Sequence, residues 1–133
     1  METAIKKALS RKKSTTQETR TLQFNTDKGK ALIDTNEIAY ITTSEVDSRD
    51  KVLWMTDNSY LVLKNISFET VQSQLPSLSF CRINKKQIIA LKIVTSFTYN
   101  EIITKVILGN APVKLSLSET YRQEFQNAIQ QIS

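Results

Sequence analysis

Apolar and polar residues alternate along most of the chain after residue 20, which is the spacing of strands that bury one face. Short polar segments rich in turn-forming residues interrupt this alternation at residues 26–29, 44–50, 57–59 and 109–110. Because consecutive strands joined by short turns pair antiparallel, the pattern predicts a series of hairpins. One further strand is predicted over Lys92–Tyr99. A chain of 133 residues holds one domain, and hairpins of this size favour a stack of small sheets over one large barrel.

Two segments change to the spacing of a helix. Residues 67–75 carry apolar side chains three or four positions apart and are followed by a proline, which predicts a short middle helix. Apolar residues at positions 121, 125, 128, 129 and 132 share one helical face, and Ser116 or Ser118 is available to cap that helix. The predicted fold class is mainly β, with small antiparallel sheets, a middle helix and a C-terminal helix.

Composition excludes several kinds of catalytic site. The chain has no histidine and a single cysteine, Cys81, so it lacks imidazole bases, an internal disulfide and a thiolate metal cage. Two glycines are too few for a phosphate-binding loop. Without a histidine base, Cys81 is expected to be a small buried residue of a strand. We therefore expect no enzyme activity, no metal and no cofactor.

The first twenty residues are the most basic part of the chain, with six basic and two acidic residues. They predict a basic arm or linker over residues 1–20, ahead of one folded domain over residues 21–133. Such an arm is either a solvated linker or an electrostatic tether to phosphate groups. No apolar run approaches the roughly 18 residues that span a membrane, and no signal peptide is recognisable. We expect a cytoplasmic protein that does not contact a membrane.

A second basic cluster lies inside the domain, between Glu69 and Glu101, where no acidic residue occurs. Its members are Arg82, Lys85, Lys86 and Lys92. Together with Asn84 they offer charges for phosphates and donors for base edges, although an ordinary solvated surface is the alternative. No aromatic residue is interleaved with these charges, which argues against a stacking platform for single strands.

Three blocks of the sequence, in order, resemble the LytTR family of bacterial DNA-binding domains. Residues 38–63 resemble its opening strands, residues 80–91 (FCRINKKQIIAL) resemble its signature, and residues 113–125 resemble its closing strand and C-terminal helix. The resemblance covers roughly residues 22–130. It implies an elongated stack of small antiparallel sheets, whose loops enter successive major grooves of double-stranded DNA and so regulate transcription.

The resemblance also implies three regions that contact DNA. The candidate residues are Ser48, Arg49, Asp50 and Lys51 in the first loop, Arg82, Asn84, Lys85 and Lys86 in the signature loop, and Ser118, Thr120, Tyr121 and Arg122 at the start of the last helix. Arg49, Arg82, Lys86 and Arg122 are expected to contact phosphates, whereas Asn84, Lys85 and Thr120 are expected to sample base edges.

The sequence departs from the family pattern at three places. Lys85 stands where a base-reading polar residue is common, and it either reads guanine or holds a phosphate. Glu119 and Thr120 stand where an Arg or Lys is frequent, and a carboxylate there either repels phosphate or accepts from a cytosine amine. Ala90 replaces the final Asn of the signature, which affects a structural hydrogen bond more than readout.

The resemblance implies partners as well as DNA. Many family members follow a receiver domain, which implies a receiver or sensor partner and the role of a response regulator output domain in a two-component system. Paired sites suggest a homodimer on DNA, although a monomer in solution is equally compatible. The alternative function is a protein-interaction module of the same fold that has lost specific DNA readout, which an exposed patch around Trp54 or Phe97 would favour.

Overall fold

The structure is a computed structural model that describes residues 21–132, so the basic arm predicted over residues 1–20 lies outside the described residues. The described strands are β1 (Thr21–Thr26), β2 (Gly29–Asp34), β3 (Ile38–Thr43), β4 (Lys51–Met55), β5 (Tyr60–Leu63), β6 (Phe80–Asn84), β7 (Gln87–Ala90), β8 (Val94–Phe97), β9 (Glu101–Leu108) and β10 (Ala111–Ser116). The described helices are α1 (Phe68–Gln74) and α2 (Glu119–Ile132), with turns of 3-10 helix at Thr35–Glu37 and Leu91–Ile93.

The strands form two antiparallel sheets. The larger sheet has seven strands in the order β2-β1-β5-β4-β3-β7-β6, and the smaller has three in the order β10-β9-β8. The β1–β2 hairpin joins the larger sheet over a short stretch around the pair Thr26 and Leu63, where the Asp27 amide donates to Val62 and the Lys64 amide donates to Asn25. The predicted fold class, mainly β with antiparallel sheets and two helices, is confirmed.

Two hairpin turns depend on residues that tolerate a positive φ. Gly29 begins β2 with φ of 106°, and Asn58 lies in the β4–β5 turn with φ of 72°. Gly has no Cβ to clash in this region, and Asn is one of the side chains most often found there. These turns therefore form where the interruptions in the alternating pattern predict them.

The strand predicted over Lys92–Tyr99 is wrong at both ends. Leu91–Ile93 forms a turn of 3-10 helix, and β8 covers only Val94–Phe97. The reason is that the chain leaves the larger sheet after β7 and joins the smaller sheet at β8. The 3-10 turn makes this crossing while it keeps Leu91 and Ile93 buried.

Apolar side chains pack on both faces of the larger sheet. Neighbouring residues of β7 point to opposite faces, so Ile88 joins the core beneath α1, whereas Ile89 joins the core shared with the smaller sheet and α2. The first core includes Phe68 of α1, and the second includes Phe125 of α2. The two predicted helices therefore cover opposite faces of the larger sheet.

A serine directly precedes each helix. Ser67 caps α1 because its hydroxyl oxygen accepts from the Thr70 amide at 3.1 Å. Ser118 directly precedes α2, while Ser116 ends β10, so of the two predicted caps only Ser118 lies next to the helix. None of the helices within residues 21–132 is long and apolar enough to cross a membrane.

Candidate nucleic-acid interface

The turn between β6 and β7 lies against the start of α2, which brings two of the three predicted DNA-contact loops together. The Ser118 amide donates to the Ile83 carbonyl at 2.8 Å. The Asn84 side-chain amide donates to the Ser116 carbonyl at 2.9 Å. These bonds join segments that are distant in sequence, so the signature loop and the start of the last helix form one continuous surface.

Arg82 lies beneath this surface and is packed against two aromatic rings. Its guanidinium carbon is 5.0 Å from the centre of the Phe68 ring and 5.5 Å from the centre of the Tyr121 ring. Its side chain is only 16% exposed. Cations are attracted to the faces of aromatic rings at these distances, so both rings stabilise the partly buried guanidinium.

The same guanidinium holds the backbone of the β6–β7 turn. Arg82 Nη2 donates to the Lys85 carbonyl at 2.8 Å, and Nε donates to the Asn84 carbonyl at 3.3 Å. Nη1 faces a Glu69 carboxylate oxygen at 3.4 Å. A hydrogen bond within Glu69 itself, followed by the Arg82 contact, lowers the pKa of Glu69. Arg82 thus has protein partners for each of its guanidinium nitrogens.

Asn84 is held by the protein on both sides of its amide. Its nitrogen donates to Gln87 Oε1 at 2.8 Å as well as to the Ser116 carbonyl, and its oxygen accepts from the Lys86 amide at 2.8 Å. This arrangement fixes the turn in the same way that short polar side chains commonly stabilise tight turns. In the described structure Asn84 orders the loop from within.

Lys85 and Lys86 occupy the tip of the β6–β7 turn, and both are exposed. The Lys86 carbonyl accepts from the Thr43 amide at 2.9 Å, which ties the base of the turn to β3. Within residues 21–132 neither ammonium group has an acidic partner. The two lysines therefore present positive charge on a backbone that is fixed on several sides.

The first predicted loop contains one outward cation and one inward cation. Arg49 is exposed and pairs with Asp47, its Nη2 lying 2.8 Å from Oδ2. Hydrogen bonds from Arg49 lower the pKa of Asp47 to about 2. Lys51 is only 5% exposed, and its Nζ donates to the Ser48 carbonyl at 3.0 Å. Burial lowers the pKa of Lys51.

Phe68 connects this first loop to the signature loop. Lys51 Nζ lies 5.1 Å from the centre of the ring that also contacts Arg82. Asp50, beside Lys51, points inward and accepts from Lys64 Nζ at 2.7 Å, a hydrogen bond that lowers the pKa of Asp50. Among the four candidate residues of this loop, Arg49 is thus the one whose charge faces solvent.

At the start of α2 the predicted residues differ in exposure. Thr120 is exposed, and Ser118 and Tyr121 are half-buried. Arg122 lies over the Tyr99 ring, 5.2 Å from its centre, and its Nε donates to the Tyr99 carbonyl at 2.6 Å. Arg122 therefore holds the β8–β9 turn against the helix.

Sequence patterns did not identify Phe68 as a neighbour of the basic cluster. Its helical spacing predicted an apolar face, which is correct, but nothing in that spacing indicates a cation above the ring. The absence of aromatics between the charges is likewise true only along the chain, because folding brings Phe68 and Tyr121 to Arg82.

The aromatic residues named for the alternative function are both packed against other rings. Trp54 stacks on Tyr40, with ring centres 6.0 Å apart, and lies 5.0 Å from Tyr60. Phe97 is 38% exposed and forms a T-shaped pair with Phe125, with ring centres 5.1 Å apart.

The chain matches known proteins in sequence and in fold. The LytTr DNA-binding domain family matches residues 28–130. Among solved structures, the LytTr DNA-binding domain of a protein described as a methyl-accepting/DNA response regulator from Bacillus cereus matches with a TM-score of 0.63 at 14% sequence identity. This match covers 82% of the present chain and 95% of the other, and at such an identity it shows a common fold. No curated protein sequence matches the chain.

Proposed function

Because the chain belongs to the LytTR family of DNA-binding domains, we propose that it binds double-stranded DNA sequence-specifically and regulates bacterial transcription. Its family is one of DNA-binding domains and not of enzymes. The observation that carries the proposal is the surface formed by the β6–β7 turn and the start of α2. Two exposed lysines lie there on a fixed turn, next to an exposed helix start.

The proposed contacts follow from which side chains face outward. Lys85 and Lys86 extend from the turn tip, where Lys86 neutralises phosphate and Lys85 either reads guanine or holds a phosphate. Thr120 and Ser118 offer hydroxyl groups to base edges or phosphates from the neighbouring helix start. Arg49 supplies a phosphate contact from the first loop when its ion pair with Asp47 is replaced by one with a DNA phosphate. These loops are proposed to enter successive major grooves.

Glu119 is the exposed acidic residue between the two hydroxyl-bearing positions. A carboxylate so close to phosphate weakens binding unless it accepts a hydrogen bond from a cytosine amine. We therefore include in the proposal that the preferred site has cytosine opposite the start of α2.

The proposed biological setting is the cytoplasm of a bacterium. In this setting the domain is the output module of a response regulator, controlled by a receiver or sensor partner. It binds paired sites as a homodimer.

Selection of bound sequences from a random pool of DNA duplexes tests the proposal. Specific binding predicts enrichment of two half-sites at a fixed spacing, because paired binding repeats the same contacts. Recovery of unrelated sequences whose binding disappears as salt is raised would contradict sequence-specific recognition and leave only electrostatic attraction.

A further inference from the structure

We propose that Arg82 is a positioning residue that does not itself contact DNA. Its guanidinium joins the β6–β7 turn to Phe68 and Tyr121, an arrangement we call the Arg82 clamp, and so sets where Lys85 meets the DNA. This inference rests on the proposed function and assigns Arg82 a different task from the phosphate contact that the sequence suggests.

The Arg82 guanidinium already has protein partners for its donors. Two of its nitrogens donate to consecutive carbonyls of the turn, those of Asn84 and Lys85, and the third faces Glu69. Two rings lie within 5.5 Å of its carbon. A phosphate would have to displace these partners from a side chain that is only 16% exposed.

The planar shape of the arginine side chain suits it to this role. A guanidinium carries several donors in one rigid plane, so it can hold two neighbouring carbonyls while its face lies on a ring. A lysine ammonium has the same charge but no plane and no fork of donors. The clamp therefore requires arginine specifically, whereas a phosphate contact requires chiefly a positive charge.

The β6–β7 turn is also fixed on the side that faces the end of β10 and the start of α2. Asn84 holds Ser116, and the Ser118 amide donates to Ile83. Tyr121, whose ring contacts the Arg82 guanidinium, belongs to the first turn of α2. Arg82 thus acts on the lysine tip and on the helix start together, which keeps the two contact elements at one spacing.

A double-mutant cycle tests the clamp. Arg82→Lys keeps the charge and removes the fork, Lys85→Ala removes the exposed contact, and the double variant reports their coupling. Affinity for the selected duplex is measured against salt for all four proteins. Lys105→Ala is the matched control, because Lys105 is exposed in β9 and lies near Lys92, beyond the end of β7 that is opposite to the β6–β7 turn.

If Arg82 positions Lys85, Arg82→Lys weakens binding about tenfold, since the loss of one charge-assisted hydrogen bond has about this effect. Both single variants then lose the same contact, so the double variant is little worse than either, and where Lys85 holds a phosphate the salt slope falls by about 0.9 in each single variant. If instead Arg82→Lys binds like wild type, and Lys85→Ala has the same effect in both backgrounds, the clamp proposal is wrong while the proposed function stands.

Amide hydrogen exchange decides the same question without DNA. The Lys86 amide is bonded to Asn84 Oδ1 in the turn, so Arg82→Lys should speed its exchange at least about fivefold, while the Leu53 amide in the buried β4 is unchanged. Unchanged exchange at Lys86 would overturn the clamp. Faster exchange together with no DNA binding by the wild-type protein would uphold the clamp and overturn the proposed function.

Discussion

The Asn84 side-chain nitrogen lies 2.9 Å from the Ser116 carbonyl oxygen, a hydrogen bond between residues 32 positions apart in the chain. It joins the end of β6 to the end of β10 and therefore joins the two sheets at the proposed DNA surface. This contact helps to hold Lys85 and Lys86, at the tip of the β6–β7 turn, close to the hydroxyl groups at the start of α2.

Replacement of Asn84 should destabilise the fold. Asn84→Ala removes hydrogen bonds to Gln87, Ser116 and Lys86, and we expect a loss of about 1–3 kcal/mol in the free energy of unfolding. Denaturant titration measures this loss. Asn84→Ser at the same position should recover part of it, and an Asn84→Ala variant as stable as wild type would show that the bonds are dispensable.

Tyr121 distinguishes a packing role from a contact through its hydroxyl. Tyr121→Phe keeps the ring beside Arg82, and we expect DNA affinity within about twofold of wild type. Tyr121→Leu removes the ring face, and we expect binding about fivefold weaker because the cation–π attraction is lost. Fluorescence anisotropy with one labelled duplex compares the variants. Equal losses for Phe and Leu would instead assign the hydroxyl to DNA.

The ion pair of Asp50 predicts a pH dependence of stability. The Lys64 side chain and then the Asn65 amide hold the pKa of Asp50 below its ordinary value of 3.8. Because the folded pKa is the lower one, the pair contributes stability above the unfolded value and loses it as pH falls through the folded pKa.

We therefore expect Asp50→Asn to lower the melting temperature at about pH 7 and to differ progressively less from wild type as pH falls below the ordinary Asp pKa of 3.8. Thermal unfolding followed by circular dichroism measures both proteins across this range. A difference between them that stays constant, or grows in acid, would contradict the assigned direction of the pKa shift.

Cys81 should be unreactive in the folded protein. It is 6% exposed, and burial raises its pKa to about 11, so little thiolate forms near neutral pH. We expect a thiol reagent to modify it slowly at about pH 8 and rapidly once denaturant unfolds the chain. Equal rates with and without denaturant would show that the second core is open to solvent.

The sequence predicted the hairpins and both helices because their signals are local. Alternation along β4 and β5, and the spacing of Phe68 and Val71 in α1, depend only on near neighbours. The crossing from β7 to β8 was not predicted because it depends on which sheet each strand joins, and neighbouring residues do not carry that information.

The candidate site was predicted as a set of residues but not as an arrangement. A cluster of cations around Arg82 is visible in the sequence, whereas its burial against Phe68 and Tyr121 requires contacts across the fold. Lys51 is similar, since its place in a strand hides it beneath the loop that precedes it. Local sequence patterns therefore could not predict which of these cations face solvent.

The salt dependence of DNA binding tests the account most directly. The measurement compares Lys85→Ala/Lys86→Ala with Lys92→Ala/Lys105→Ala, a pair of exposed lysines that changes net charge equally beyond the opposite end of β7. The account predicts that the first pair lowers the slope of log affinity against log salt by about 0.9 if Lys86 alone contacts phosphate, and by about 1.8 if Lys85 does so as well. It predicts that the second pair leaves the slope within about 0.3 of wild type, since distant charges are screened. Equal slopes for the two pairs would contradict a DNA interface at the β6–β7 turn.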